Sequence, residues 1–294
     1  MYIKTVPPAK KMTSAIMTAM TAALAAYGLL PNWTSFGMLF RIPSGKNRKI
    51  LGRSLKVEKG EKKKVLTKVL YLSPWKEAGI QMCPWATKGC AASCLGHSTG
   101  HLQLPANKAT RILKTLMFAF FPHRFLTALV REIVNHAKNA KRRDMTAAVR
   151  LNGSSDILWE KYIDMDALNR DYGVIFYDYT KASTRRLSES FPQSYHLTFS
   201  VSENPFSLRQ AKRWLEAGYS VAVVIAGQGS SLNEAKALQD SFLYRGTYPM
   251  DNKEFPVIDG DETDIRFRDE AGAVVLLHAK GKALHDTSGF VQRH

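Results

Sequence analysis

The only three cysteines of this 294-residue chain, Cys83, Cys90 and Cys94, stand within twelve residues in CPWATKGCAASC. An odd number of thiols so close together makes a poor disulfide framework and a good set of metal ligands, as expected in a reducing compartment. Lys88 lies between the first two and favours their thiolate forms. Three thiolates with no adjacent fourth suit a [4Fe–4S] cluster that keeps one iron open for a substrate or cofactor. Zinc is the alternative. It takes four ligands, and His97, His101 or His123 would complete a Cys3His set. The spacing C-x6-C-x3-C does not choose between the two.

These ligands need a scaffold. Downstream of a strand predicted over 65–72, the pattern alternates helices (106–120, 125–141) with a strand (147–151), a helix (158–169) and a strand (173–177). It continues as helix 183–190, strand 195–200, helix 207–217, strand 220–225, helix 232–238 and strands 256–258 and 273–277. Alternation of this kind predicts an α/β protein with a parallel sheet, read as a partial or complete βα-barrel of the TIM type. Chemistry in such folds sits at the carboxyl ends of the strands. Polar clusters recur there, at 152–156, 178–181, 200–204 and 259–264. Their repetition predicts one shared site. The last cluster, Asp259, Asp261, Glu262 and Asp264, reads either as a divalent-ion site or as a solvated turn paired with Arg266 and Arg268. Gly227 and Gly229 after a strand hint weakly at phosphate binding, and Lys280 and Lys282 read as surface charge. No G-x-S-x-G, Walker A or H-E-x-x-H motif occurs.

The net charge is +17, and residues 1–66 hold 13 Lys/Arg against Glu58 and Glu61, so +11 of it lies there. A basic N-terminal extension of this strength points to a polyanionic partner, nucleic acid above all. The expected organisation is a helix and basic extension over 1–64 and the βα domain over 65–294. The apolar run 12–30 follows Lys10 and Lys11 but is broken by Thr13, Ser14, Thr18 and Thr21. It predicts an N-terminal helix, not a cleaved leader or a span, so no stable membrane insertion and a cytoplasmic location are expected.

Across 65–290, CPWATKGCAASCL, VRLNGSSDILWE, YDYTK, LTFSVSEN and VIDGDETDIRFRD together resemble the phage gene product 88 family. That resemblance implies a phage protein in the host cytoplasm, and it implies no activity. More loosely, DYTKASTRR and SVSEN are similar to the LTKRPER and GVSVEN segments of phage proteins related to spore photoproduct lyase. Those are radical S-adenosylmethionine (SAM) enzymes, with a cluster-binding three-cysteine loop after the first strand of a barrel. The similarity implies that Cys83, Cys90 and Cys94 bind the cluster. It implies that Asn152, Ser155 and Asp156 meet the SAM amino group. Lys181, beside Asp178, would hold the SAM carboxylate or a substrate phosphate. Ser200, Ser202, Glu203 and Asn204 would contact the ribose. Asp156, Asp178 and Lys181 are the expected catalytic groups. The spacing departs from the C-x3-C-x2-C usual in that superfamily.

The leading expectation is a radical-SAM-like enzyme acting on nucleic acid or a nucleotide-derived substrate. One alternative is a zinc-containing base-exchange enzyme similar to the tRNA-guanine transglycosylases, with Asp156 or Asp178 as nucleophile. Its usual C-x-C-x2-C spacing is absent. The other is a non-catalytic DNA-binding protein with a structural metal.

Overall fold

The computed structural model describes residues 2–25, 49–53, 55–98, 100–187, 190–229 and 231–294. The chain forms two compact units, each assembled from separated segments. The first is Met1–Pro84, Gly100–Phe176 and Pro192–Ser194, and the second is Trp85–Thr99, Tyr177–Phe191 and Tyr195–His294. Neither is bounded at residue 64, where the sequence suggested a division.

In the first unit, β1 (Leu51–Gly52) runs antiparallel to β2 (Val65–Leu70), and β2 runs parallel to β3 (Thr146–Arg150). The start of β4 (Ile175–Thr180) pairs parallel to β3, Ala148 with Ile175 and Val149 with Phe176. β2 reads VLTKVL and is buried on both faces, as a parallel strand covered by helices must be. The covering helices come from the connections. Pro105 in the first turn starts α2 (Pro105–Phe120), where its missing N–H costs nothing. Pro122 starts α3 (Pro122–Arg142), and the two helices bend by 119° at their junction. Phe125, Leu129, Ile133, His136 and Ala140 form the buried stripe of α3, spaced at three and four residues, and that helix packs on β3. Asp164 caps α4 (Met165–Tyr172), and Gly173 ends it in the left-handed conformation.

His136 ties α3 to the sheet. Its Nε2 lies 2.9 Å from the Leu66 carbonyl and 3.1 Å from that of Ala148, so one N–H spans β2 and β3. Burial pushes its pKa down to about 4, against the weaker opposing effect of those two carbonyls. Glu132, also on α3, accepts the Ile50 and Leu51 N–H groups at 2.9 Å each and so satisfies the edge near β1.

The helix expected near the N-terminus is α1 (Ser14–Ala25), which packs against α2 and buries Ile16, Met20 and Ala23. Residues 26–30 of that apolar run lie outside the described residues. Ahead of it, Lys4 N–H donates to the Tyr162 carbonyl and Asp164 N–H to that of Tyr2, both at 2.8 Å. No single described helix is long and apolar enough to cross a membrane.

In the second unit, β5 (Tyr195–Ser200), β6 (Val221–Ala226), β9 (Val274–His278) and β8 (Lys253–Asp259) lie side by side and parallel in that order. β7 (Thr247–Met250) adds antiparallel to β8, and β10 (Gln292–Arg293) pairs with Ile225 and Ala226, beyond the point where β5 stops. Helices α5 (Ser207–Glu216) and α6 (Leu232–Arg245) connect these strands and pack on them.

The α/β class is as expected, but neither unit closes its strands: the first runs β1-β2-β3-β4 and the second β5-β6-β9-β8-β7. Two local expectations also fail. No helix forms over the described part of 183–190. There the Ser183 carbonyl is taken by the Trp214 indole and Arg185 stacks on the Tyr195 ring, and these long-range contacts override the helical pattern. The basic extension expected over 1–64 is partly folded: it contains β1, a helical turn at Leu55–Glu58 and a 3-10 turn at Lys59–Lys63, while 26–48 and 54 lie outside the described residues.

Candidate functional site

The residues predicted to do chemistry fall into two groups, one in each unit. In the first unit, Cys83 follows the loop that leaves the carboxyl end of β2. Its sulfur accepts the Trp75 N–H at 3.3 Å and lies 3.8 Å from the Ser154 carbonyl. It thus sits against the turn after β3, the NGSSD segment. Asn152 organises that turn. Its Oδ1 accepts from the Ser155 hydroxyl at 3.0 Å, the Ile157 N–H at 2.9 Å and the Trp159 indole at 3.0 Å. Asp156 N–H donates to the Met82 carbonyl at 2.9 Å, next to Cys83 in the chain. Gly153 is required here because the turn crosses β2 closely: a Cβ would collide with the Val69 side chain. Cys83, Asn152, Ser155 and Asp156 are therefore neighbours. Asn152 and Ser155 spend their side-chain oxygens within the turn.

In the second unit, Cys90 lies in the short helix Lys88–Ala92, and Cys94 lies two residues beyond its end. Thr87 caps this helix through the Cys90 N–H. Glu203, from the loop after β5, accepts the Thr87 hydroxyl and the Gly89 N–H, both at 2.6 Å. A carboxylate on the first N–H groups of a helix is favoured by charge as well as by hydrogen bonding. Gly89 leaves room for it: a Cβ there would collide with the Ser288 hydroxyl and meet the Glu203 carboxyl at 2.9 Å. The other end of the turn is held by Asp286, which accepts from the Ser93 hydroxyl at 3.3 Å, the Ser288 hydroxyl at 2.7 Å and the Val291 N–H at 3.1 Å. Burial pushes the Asp286 carboxyl up, but these donors and the Ser288 N–H hold it below its ordinary range. Cys90 packs against the apolar cluster of Ala226, Ala279 and Phe290.

The remaining predicted residues each have defined partners. Lys181 Nζ donates to the Ser200 hydroxyl at 3.0 Å and to the carbonyls of Ser200 at 3.2 Å and Val201 at 3.0 Å, and it lies over the Phe290 ring. Asp178 lies inside β4, not at its end, and is fully buried, accepting the Tyr195 hydroxyl at 2.9 Å. Ser202 N–H donates to the Ser207 hydroxyl, and Asn204 accepts the N–H groups of Phe206 and Ser207, so both shape the start of α5. Glu203 is thus placed as a support of the cysteine turn, a role the sequence did not suggest. The Gly227–Gly229 turn offers carbonyls, not N–H groups, and Arg293 donates to both.

Among the described residues no three or more His, Cys, Asp or Glu side chains are gathered as a ready metal set. The side chains of His97 and His101 lie outside the described residues, and His123 is exposed on α3.

A family model described as Gene product 88 matches residues 43–294. The chain belongs to the gene product 88 family. The match takes in all three cysteines and every residue of both groups, and the phage source expected from the sequence goes with it. No curated protein and no solved structure matches the chain.

Proposed function

We propose that this member of the gene product 88 family is a radical-SAM-like iron–sulfur enzyme acting on nucleic acid or a nucleotide-derived substrate. One observation carries the reading: the cysteine segment leaves the carboxyl end of the first parallel strand, and the half-buried Glu203 and the buried Asp286 hold its Cys90–Cys94 turn. Loops positioned by a rigid scaffold are where binding and catalytic residues concentrate. Three thiols on one segment are the donors a thiolate-bound group takes. The Trp75 N–H on Cys83 is the kind of donor that tunes a ligating sulfur, and the apolar wall beside Cys90 limits water. Neighbouring parallel strands are added in chain order within each unit, β2 to β4 and β5 to β6, and we read these as arcs of a partial βα-barrel.

A cluster with one open iron, when bound, supplies the electron for reductive cleavage of SAM. In this reading Asp156 would meet the SAM amino group and Ser200, Ser202 and Asn204 would contact the ribose, while Lys181 holds the Ser200–Val201 segment in place and Asp178 holds the Tyr195 hydroxyl. Glu203 positions the cysteine turn. The basic surface collects the polyanion.

Anaerobic purification with iron, sulfide and zinc analysis tests the reading. About four irons per chain and a brown colour support it, with loss of both in Cys83→Ser, Cys90→Ser and Cys94→Ser. A colourless protein with one zinc overturns it in favour of a transglycosylase-like enzyme or a structural metal. For the polyanion, α1 and β1 belong to the fold, so charge is removed without truncation. Lys59, Lys62 and Lys63, all exposed, are changed to Gln. Filter binding of DNA and RNA over a salt series should show a salt slope smaller by about one per lysine that contacts phosphate. An unchanged slope removes this segment from the interface.

A further inference from the structure

At the carboxyl ends of β8 and β9 stands a second polar group that includes none of the cysteines. β9 reads VVLLH, and its last residue, His278, is largely buried, with 12% of its side chain exposed. Its Nδ1 lies 2.7 Å from Gln239 Oε1 and 2.9 Å from Asp261 Oδ2. The Gln239 amide has only one workable orientation. Its Nε2 donates to the Leu276 carbonyl at 2.9 Å and to Asp259 at 3.0 Å, and both of those are pure acceptors. Its Oε1 must then face the imidazole, and an oxygen on one side with a carboxylate on the other forces the proton onto Nδ1. In the neutral ring the lone pair is therefore on Nε2. Nε2 has no hydrogen-bond partner among the described residues.

The supports are themselves fixed. Asp261 N–H donates to Asp259 at 2.7 Å, His278 N–H donates to Asp261 Oδ2 at 3.2 Å, and Lys280 pairs with Asp261 Oδ1. Gln239 is 3% exposed on α6. An imidazole whose tautomer is set by an amide, with a carboxylate at ion-pair distance and its second nitrogen open, is arranged to accept a proton and carry the resulting charge. Its position at the carboxyl ends of parallel strands is where α/β folds hold their chemistry.

We propose that His278, with Asp261 and Gln239, is a general base that takes the proton of a water or substrate hydroxyl. In that step the O–H bond breaks and an Nε2–H bond forms. The bonding pair stays on the oxygen, which becomes the nucleophile, and Asp261 balances the imidazolium. The inference does not rest on the cysteines or on any metal.

Two measurements on the full-length protein test it. The first needs no variant. Diethyl pyrocarbonate transfers an ethoxycarbonyl group to an imidazole lone pair with loss of ethyl carbonate, and peptide mass spectrometry reads the rate at each histidine. His278 should label faster than the exposed His123 despite its burial, and Asp261→Asn should lower its rate about tenfold. The second uses p-nitrophenyl acetate as the probe. Nε2 takes a proton from the attacking water, the acetyl C–O bond breaks, p-nitrophenolate leaves, and the imidazolium returns its proton to solvent. Wild type should hydrolyse the probe at least about tenfold faster than His278→Gln and more slowly in deuterium oxide. Labelling of His278 no faster than His123, equal hydrolysis by both proteins, or no solvent isotope effect overturns the proposal. Iron and sulfide content should be the same in wild type and His278→Gln, so failure here is distinguishable from failure of the cluster reading.

Discussion

Two strand ends in the second unit handle a basic side chain in opposite ways. At the end of β5, Lys181 has its ammonium donating to three oxygens of Ser200 and Val201, with an aromatic ring against it. At the end of β9, His278 has one nitrogen held by Gln239 and Asp261, while the other meets no partner among the described residues. The first is a strut: its hydrogen bonds join the end of β4 to the loop after β5. The second is a poised group, whose supports fix its orientation and leave its reactive atom open. Position at a strand end is common to both, so position alone does not distinguish structure from chemistry. The distinction lies in which atoms remain unspent.

The sharpest way to break this comparison is Lys181→Met. It leaves two backbone carbonyls and a hydroxyl without their charged donor and should destabilise the protein by about 4 kcal/mol, read from urea midpoints. A loss below about 1 kcal/mol would show that Lys181 is free for a ligand after all. His136 extends the strut class to the first unit. Its pKa is about 4 in the fold, against 6.5 for an unperturbed imidazole, so the unfolded chain binds the extra proton between those values. The stability it protects is whole above pH 6.5 and falls as pH drops toward 4, by about 3 kcal/mol in all. His136→Gln should flatten that part of the pH–stability curve. Glu203→Gln weakens the anchor on Thr87 and Gly89 and should cost about 2 kcal/mol in thermal or urea unfolding. His278→Gln is the smallest, about 0.5 kcal/mol, because the open nitrogen contributes nothing to the fold. A large loss there would move His278 into the strut class.

Much of the scaffold was legible because its elements are long and strongly patterned. The strand over 195–200 is placed as predicted, and α2 and α3 fall within three residues of their expected ends. The short strands β1, β7 and β10 were not legible, since two to four residues carry no period and owe their geometry to a neighbour. The cysteine turn announced itself by residue type. Glu203 was seen, but its use was not, because the Gly89 N–H and Thr87 hydroxyl it accepts lie 114 and 116 residues earlier. His278 was missed for a related reason. A single histidine closing an apolar run looks like any strand end, and its orienting Gln239 lies 39 residues away on a helix. Asp178 and Lys181 read as strand-end chemistry; Asp178 is enclosed within β4, and Lys181 donates to three oxygens of Ser200 and Val201.

The anchoring of the cysteine turn also has a timetable. The turn's partners arrive late in synthesis: Glu203 lies 114 residues after Gly89, and Asp286 lies 193 after Ser93. At roughly 5–20 residues per second, the nascent chain carries Cys90 and Cys94 for on the order of ten seconds before either carboxylate exists. During that interval the thiols belong to an unanchored stretch of polypeptide on the ribosome. Whatever first protects, oxidises or loads them there meets a segment whose final shape has not yet been written.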